Sequence, residues 1–91
     1  MKSPKPEEIT WNVYIVRCAD GSLYTGIAKS LTKRIEEHNS ANTGAKYTRT
    51  RRPVSLAYSE TCTSRSLATK REIAIKSLTK AQKEALVANS E

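Results

Sequence analysis

Asp20 and Gly21 separate two short runs of the chain that are rich in β-branched and aromatic residues, residues 12–18 and 23–27. Such runs are typical of β-strands, and an Asp-Gly pair supplies the positive φ that a tight turn between antiparallel strands requires. The sequence therefore predicts a β-hairpin near its N-terminus, and the later elements must pack against it.

A helix is predicted next, over residues 31–39, because Ser30 is a suitable N-terminal cap and apolar residues recur at helical spacing after it. His38 falls on the same stripe as these apolar residues. Arg34 shares a face with His38, since the two residues are four apart.

Residues 40–53 contain turn formers and several basic residues without an apolar period, so they are predicted to form an irregular loop. In residues 54–60, Val54, Leu56 and Tyr58 alternate with smaller or polar residues. This period of two predicts a strand with one buried face, which would join the hairpin as a third strand.

Two more helices are predicted in the C-terminal third, one over residues 66–78 and one that begins at Thr79, where Thr79 and Gln82 match a capping box. The residues predicted to face inward from the two helices are Leu67, Ala68, Ile75, Leu78, Ala81, Ala85 and Leu86. The order β-β-α-β-α-α predicts an α+β domain in which helices flank a three-stranded antiparallel sheet.

Composition limits what such a domain can do. The chain has 91 residues, a length that suits one small domain, and sixteen Lys+Arg against nine Asp+Glu give a net charge of +7. A balance of this sign attracts polyanions, so nucleic acid is the leading partner. A solvated basic surface without a ligand is the alternative.

Residues 1–10 are polar and include two prolines, which predicts a flexible tail, and the domain is predicted to occupy residues 11–88. No apolar stretch is long enough to cross a bilayer, and no signal peptide is apparent, so a cytoplasmic protein is expected. Cys18 and Cys62 lack the spacing of a zinc site, and both are interpreted as small buried hydrophobes.

Five residues follow one another in an order and spacing that resemble the GIY-YIG nuclease family. Tyr14 ends a tripeptide where the family has Gly-Ile-Tyr, and Tyr24 begins one where it has Tyr-Ile-Gly. Arg34 follows Tyr24 by ten residues, His38 comes one helical turn later, and Glu72 lies in the helix after the third strand.

Two longer segments extend the resemblance to the small single-domain YhbQ-like branch of that family. They are Cys-Ala-Asp-Gly-Ser-Leu-Tyr-Thr-Gly (residues 18–26) and Gly-Ala-Lys-Tyr-Thr-Arg-x-Arg-Arg-Pro-Val (residues 44–54). The similarity covers residues 11–87 and implies the GIY-YIG fold.

The resemblance also implies a catalytic set. Glu72 would hold one Mg²⁺ or Mn²⁺, because hard cations prefer oxygen ligands and Mg²⁺ often uses only one or two carboxylates. Arg34 would bind the scissile phosphate, Tyr24 and secondarily Tyr14 would orient or deprotonate the attacking water, and His38 would accept a proton or hydrogen-bond the catalytic tyrosine. Each has an ordinary alternative: a surface carboxylate, a surface arginine, tyrosines of the core and a structural histidine.

Basic residues near this set are predicted to contact nucleic-acid phosphates without reading sequence. Tyr47, which lies among them, is predicted either to stack on an unpaired base or to close its loop onto the core. The predicted contact residues are Lys29, Lys33, Lys46, Tyr47, Arg49, Arg51, Arg52 and Arg71.

The sequence thus leads to one main hypothesis, a metal-dependent endonuclease that cuts DNA with little sequence preference, with DNA repair or recombination as the setting that the family suggests. Two alternatives stay open. One is a nucleic-acid-binding module that retains the fold without turnover, and the other is an adaptor that acts with a protein partner.

Overall fold

The computed structural model describes residues 10–40 and 45–89. The predicted N-terminal tail therefore lies outside the described residues, apart from residue 10. In chain order the elements are β1 (Trp11–Arg17), β2 (Leu23–Ala28), α1 (Leu31–His38), α2 (Lys46–Arg49), β3 (Ser55–Cys62), α3 (Arg65–Lys76) and α4 (Lys80–Asn89).

The predicted hairpin is confirmed: β1 and β2 pair antiparallel, with Tyr14 opposite Gly26. Gly21 adopts a φ of 87°, which an L-residue with a side chain rarely adopts. The Asp20 carboxylate accepts hydrogen bonds from the backbone N–H and the hydroxyl of Ser22, at 3.0 and 2.6 Å, and so stabilises the connection between the strands.

The third strand, β3, pairs antiparallel with β1, so the sheet has the order β2-β1-β3 and β1 lies at its centre. A bulge interrupts this pairing: Ile15 lies opposite Tyr58 and Val16 opposite Leu56, so that Ala57 has no partner. The extra residue places Leu56 and Tyr58 on opposite faces of the sheet. The prediction that both share a buried face is therefore wrong, and Leu56 is 46% exposed.

Helices cover both faces of the sheet. On one face, Val13 and Ile15 of β1 pack against Ala68 and Ile75 of α3 and against Val87 of α4. On the other face, neighbouring residues of β1 contact α1. This cluster comprises Tyr14, Val16, Cys18, Ala28 and Val54, with Tyr24, Leu31 and Ile35 packed against it. The alternation of β1 side chains thus joins two separate apolar clusters through one strand.

The helices differ from the sequence prediction in detail. Within the segment that was predicted to be an irregular loop, residues 46–49 form α2, so the order becomes β-β-α-α-β-α-α. Leu67 is 48% exposed and the alanines of α4 face solvent, whereas Leu86 and Val87 carry the contact of α4 with the core. The capping box is confirmed by reciprocal bonds between Thr79 and Gln82, of 2.9 and 3.1 Å.

Of the two cysteines, Cys18 is buried as predicted, and Cys62 is only partly buried at the end of β3. Within residues 10–40 and 45–89, no helix is long and apolar enough to cross a membrane.

Arg17 and Glu84 join α4 to the central strand. The guanidinium donates to both carboxylate oxygens, each at 2.7 Å. These hydrogen bonds, with a smaller contribution from Lys80, lower the pKa of Glu84 from 4.5 to about 2. Because the folded-state pKa is the lower one, this carboxylate stabilises the fold above pH 4.5, and the contribution is lost as the pH falls towards 2.

We therefore expect Glu84→Gln to lower the free energy of unfolding by a constant amount above about pH 5, and by less at each step below pH 4.5. Urea unfolding followed by the fluorescence of Trp11, the single tryptophan, measures the difference across this pH range. Glu36→Gln is the control, since it removes an exposed carboxylate of α1 for which the described residues provide no ion pair. A difference between wild type and Glu84→Gln that does not change with pH would contradict the assignment.

Candidate active site

Tyr14 and His38 form the centre of the candidate site. Tyr14 projects from the middle of β1 towards α1, and His38 is the last residue of α1. The Tyr14 hydroxyl lies 2.7 Å from His38 Nε2, and the two residues are 1% and 0% exposed. A histidine that ends an apolar stripe is thus held against a tyrosine of the central strand.

Gly26 makes room for this pair. It lies opposite Tyr14 in the hairpin register, and a Cβ atom built on it would lie 2.5 Å from the Tyr14 hydroxyl oxygen. That distance is far below van der Waals contact, so the tyrosine ring can lie across β2 only where no side chain is present. The Tyr-x-Gly tripeptide therefore has a steric basis in this fold.

We expect Gly26→Ala to lower the free energy of unfolding by roughly 1–3 kcal/mol, because a buried ring has to shift to accommodate the new methyl group. The shift also separates Tyr14 from His38, so any activity that depends on this pair falls with it. Urea unfolding monitored by circular dichroism checks the first effect.

Gly21→Ala is the matched control for that substitution. At Gly21 an alanine meets no atom within 4 Å, and its cost is the positive φ alone, about 1–2 kcal/mol. It should destabilise the protein without altering the site. A Gly26→Ala protein with wild-type stability would rule out the steric role of this glycine.

Arg34 lies beside the pair, as its four-residue offset from His38 predicted. Its guanidinium donates to Glu37, at 2.8 Å, and lies close enough to the Tyr14 hydroxyl to lower the pKa of that phenol. Burial raises the pKa of Tyr14, the nearby Arg34 partly offsets this effect, and the charges of Tyr24 and Glu72 add to the rise. The phenol is therefore protonated at neutral pH and has a cation against its oxygen.

The histidine is shifted towards its neutral form. Burial lowers the pKa of His38, the positive charge of Arg34 lowers it further, and Glu37 offsets part of the change. A neutral imidazole has one nitrogen that can accept a proton. At neutral pH the site thus contains a proton acceptor in direct contact with a phenol.

Tyr24 is at the rim of this group and is less buried than Tyr14. Its ring meets the ring of His38 edge-on, with 5.4 Å between the centroids, and stacks on Tyr47 at 5.7 Å. The guanidinium of Arg51 lies 4.0 Å from the centre of the Tyr47 ring and is held by Asp20 at 3.1 Å. Tyr47 thus packs against Tyr24 and stays 38% exposed.

Glu72 reaches the site from α3, whose packing residues lie on the opposite face of the sheet from α1. Its carboxylate accepts from Lys76 at 3.2 Å, 19% of its side chain is exposed, and its charge contributes to the raised pKa of Tyr14. The Lys76 ammonium also lies 6.0 Å from the ring centre of Tyr24. Glu72 is therefore within electrostatic reach of the pair rather than in contact with it.

The donor set allows one type of metal site. No group of three His, Cys, Asp or Glu residues able to hold an ion occurs in the described parts of the chain. A tetrahedral zinc site is thus not formed by these residues. A single carboxylate such as Glu72 fits Mg²⁺ or Mn²⁺ that keeps most of its water and takes substrate phosphate as a further ligand.

The predicted phosphate-contact residues differ in whether their side chains already have a partner within the protein. Lys29 and Lys33 border a shallow depression of about 350 Å³ that Arg34 also lines, and Lys46 and Arg49 project from α2. The three remaining arginines already have partners within the protein, and Arg51 is held by Asp20. Arg52 donates to the His38 carbonyl at 2.8 Å and Arg71 to Glu60 at 2.6 Å.

Thr48 is a further residue of the candidate site for which the sequence gives no indication. It is 0% exposed, and its Oγ1 lies 2.9 Å from His38 Nδ1. A threonine among basic residues carries no signal of such a contact, and only the position of α2 brings the two together.

Residues 10–85 match the family described as the GIY-YIG catalytic domain. A UPF0213 protein of Desulfotalea psychrophila is 55% identical over 91 residues, which is all of this chain and 83% of that protein. A UPF0213 protein of Staphylococcus epidermidis is 58% identical over 71 residues, or 78% of this chain and 85% of that one.

Two solution NMR structures are similar over most of the fold. The UPF0213 protein BH0048 of Bacillus halodurans is 39% identical with a TM-score of 0.56, over 87% of this chain and 83% of that one. The protein EF2693 of E. faecalis is 40% identical with a TM-score of 0.60, over 98% and 90% of the two chains.

Proposed function

Because the chain belongs to the GIY-YIG family, whose catalytic domain is that of nucleases, we propose that it is a metal-dependent endonuclease that hydrolyses DNA phosphodiester bonds with little sequence preference. The observation that carries this proposal is the 2.7 Å contact between the Tyr14 hydroxyl and a neutral His38, with Arg34 against the same oxygen. Phosphodiester hydrolysis needs a proton acceptor next to a cationic group, and this cluster supplies both.

In the proposed reaction, Tyr24 at the rim orients the attacking water. The water gives a proton to the Tyr14 oxygen while the Tyr14 proton passes to His38 Nε2, so that the imidazole becomes an imidazolium. Arg34 stabilises the charge that develops on the phosphate oxygens. A Mg²⁺ or Mn²⁺ ion on Glu72 would supply positive charge near the leaving oxygen.

Low sequence specificity follows from the size and charge of the domain. The exposed lysines and arginine beside the site, Lys29, Lys33, Lys46 and Arg49, are suited to phosphates rather than to base edges. A role for Arg51, Arg52 and Arg71 in binding stays part of the proposal, although each side chain already has a partner within the protein.

One feature supports the second candidate, a nucleic-acid-binding module without turnover. Tyr14 is 1% exposed and the Glu72 carboxylate is already paired with Lys76, so the two groups needed for chemistry are each engaged within the protein. The basic surface would bind nucleic acid whether or not that chemistry takes place.

Cleavage of labelled linear, flapped and single-stranded DNA by the purified protein tests the proposal. We expect products in the presence of Mg²⁺ or Mn²⁺ and none in EDTA. Binding of the same DNAs is measured in parallel in Ca²⁺ by fluorescence anisotropy. Salt-sensitive binding without cleavage of any of the three substrates would replace the nuclease by the binding module.

A further inference from the structure

Thr48 is the one fully buried hydroxyl-bearing side chain of α2. The short helix brings Tyr47 against Tyr24 and Thr48 against His38, so two adjacent residues contact two members of the candidate catalytic set. Thr48 Oγ1 contacts His38 Nδ1 at 2.9 Å, on the opposite side of the imidazole from Tyr14. The positions of the hydrogens in this series of hydrogen bonds follow from which atoms can donate and which can accept.

The proton of the Tyr14 hydroxyl determines which nitrogen of His38 is protonated. The Arg34 guanidinium near the phenol oxygen has only donors, so it cannot take the phenol proton. His38 Nε2 lies 2.7 Å from that oxygen and can accept this proton. It is the hydrogen-bond acceptor for the phenol within the described parts of the chain. If Nε2 carried a proton instead, a phenol that is 1% exposed would have a hydrogen without an acceptor, which is costly in a buried site.

The contacts of Thr48 lead to the same tautomer. Its hydroxyl lies 2.9 Å from the Ala45 carbonyl oxygen, which can only accept, so the single hydroxyl proton goes to Ala45. The Thr48 oxygen then accepts from His38 Nδ1–H. The opposite tautomer would rely on the backbone N–H of Ala45, which is 3.4 Å from Nδ1 and therefore a weaker donor.

We propose that Thr48 is a positioning residue that holds His38 in the tautomer protonated at Nδ1, so that Nε2 is free to take the proton of Tyr14. Hydrogen bonds then run in one direction, from Tyr14 to His38 Nε2, and from Nδ1 through Thr48 to the Ala45 carbonyl. The proposal rests on the proposed function for its catalytic meaning, but the tautomer itself does not depend on turnover.

The chain offers a simple test because His38 is its single histidine. Protein labelled with ¹⁵N in the imidazole ring gives one set of signals in long-range ¹H–¹⁵N spectra, and these distinguish a protonated from an unprotonated ring nitrogen. At a pH where the ring is neutral, we expect Nδ1 to be protonated and Nε2 unprotonated in the wild type.

Two substitutions separate the hydroxyl from the shape of the side chain. Thr48→Val keeps the volume but removes the acceptor, and Thr48→Ser keeps the hydroxyl. We expect Thr48→Val to give a mixture of the two tautomers and a kcat lower by roughly tenfold with little change in KM, as the loss of one buried hydrogen bond suggests. Thr48→Ser should retain the wild-type spectrum and a rate within about twofold of the wild type.

A wild-type ring protonated at Nε2, or an unchanged spectrum for Thr48→Val, would overturn the proposal. If Thr48→Val does not fold, the wild type and Thr48→Ser still test the proposal, since a ring protonated at Nε2 in either protein would overturn it. If the wild type cuts none of the three DNAs, the proposed function fails, and the spectra independently settle whether Thr48 holds the tautomer.

Discussion

Replacing Glu72 with glutamine should lower metal-dependent cleavage by on the order of a thousandfold and leave DNA affinity within about twofold. Glutamine keeps the length and polarity of the side chain but removes the charge that would hold the cation. The loss of one negative charge beside Lys76 cannot weaken attraction to phosphate, so binding should stay equal or become slightly tighter. Single-turnover cleavage and anisotropy titrations measure the two quantities separately.

The matched control for Glu72 is Glu36→Gln, which removes an exposed carboxylate from α1 without touching Tyr14, Tyr24 or His38. It should cut DNA at the wild-type rate. Raising the concentration of Mn²⁺ should restore part of the rate of Glu72→Gln if the carboxylate acts on the cation. A Glu72→Gln protein that cleaves as fast as the wild type would exclude this residue as a metal ligand.

Arg34→Ala should lower the cleavage rate by roughly a hundredfold, because it removes a cationic donor from the position where phosphate charge develops. It should also change the pH dependence. Arg34 lowers the pKa of His38, so its removal raises that pKa, and the loss of rate on acidification should begin at a higher pH. A rate–pH profile under single-turnover conditions checks both effects.

Lys83→Ala is the control for the lost charge, since Lys83 belongs to α4, which packs on the opposite face of the sheet from α1. It should leave both the rate and the profile unchanged. If Arg34→Ala lowers the rate but leaves the rate–pH profile at the same pH, Arg34 acts on the phosphate alone. A wild-type rate would remove Arg34 from the site.

The fold was predictable where local signals agree with packing. The hairpin has a turn sequence that requires positive φ at Gly21, and the capping box at Thr79 acts within four residues. The course of β3 was not predictable in the same way. Its bulge at Ala57 results from pairing with β1. An alternating sequence does not indicate that the side chains of Leu56 and Tyr58 will lie on opposite faces of the sheet.

α2 shows a second limit. Four residues are too few to nucleate a helix on their own propensity, so this helix depends on tertiary contacts. Tyr47 stacks on Tyr24, and Thr48 reaches His38, from residues that are 23 and 10 positions away in the chain. No periodic pattern could reveal these contacts before the sheet and α1 were in place.

The candidate site was predictable through spacing and resemblance. The offset of four residues places Arg34 and His38 together, and the hairpin register places Tyr14 beside Gly26. Partners were harder to foresee: Arg52 and Arg71 stand in a basic stretch of sequence, yet each binds a group of the protein itself. Net charge indicates a polyanion, but it does not indicate which cations are free to meet one.

Tyr14 stands between Val13 and Ile15 in the central strand, and these neighbours belong to the apolar cluster on the other face. In an enzyme whose reactive groups lie on loops, those groups can be substituted without changing the core. Here one stretch of backbone carries both core residues and the tyrosine of the proposed site. Substitutions of Val13 or Ile15 that raise thermal stability should therefore also change the rate of the proposed reaction. Substitutions of Tyr14 that change the chemistry should in turn be limited by what the core can accommodate.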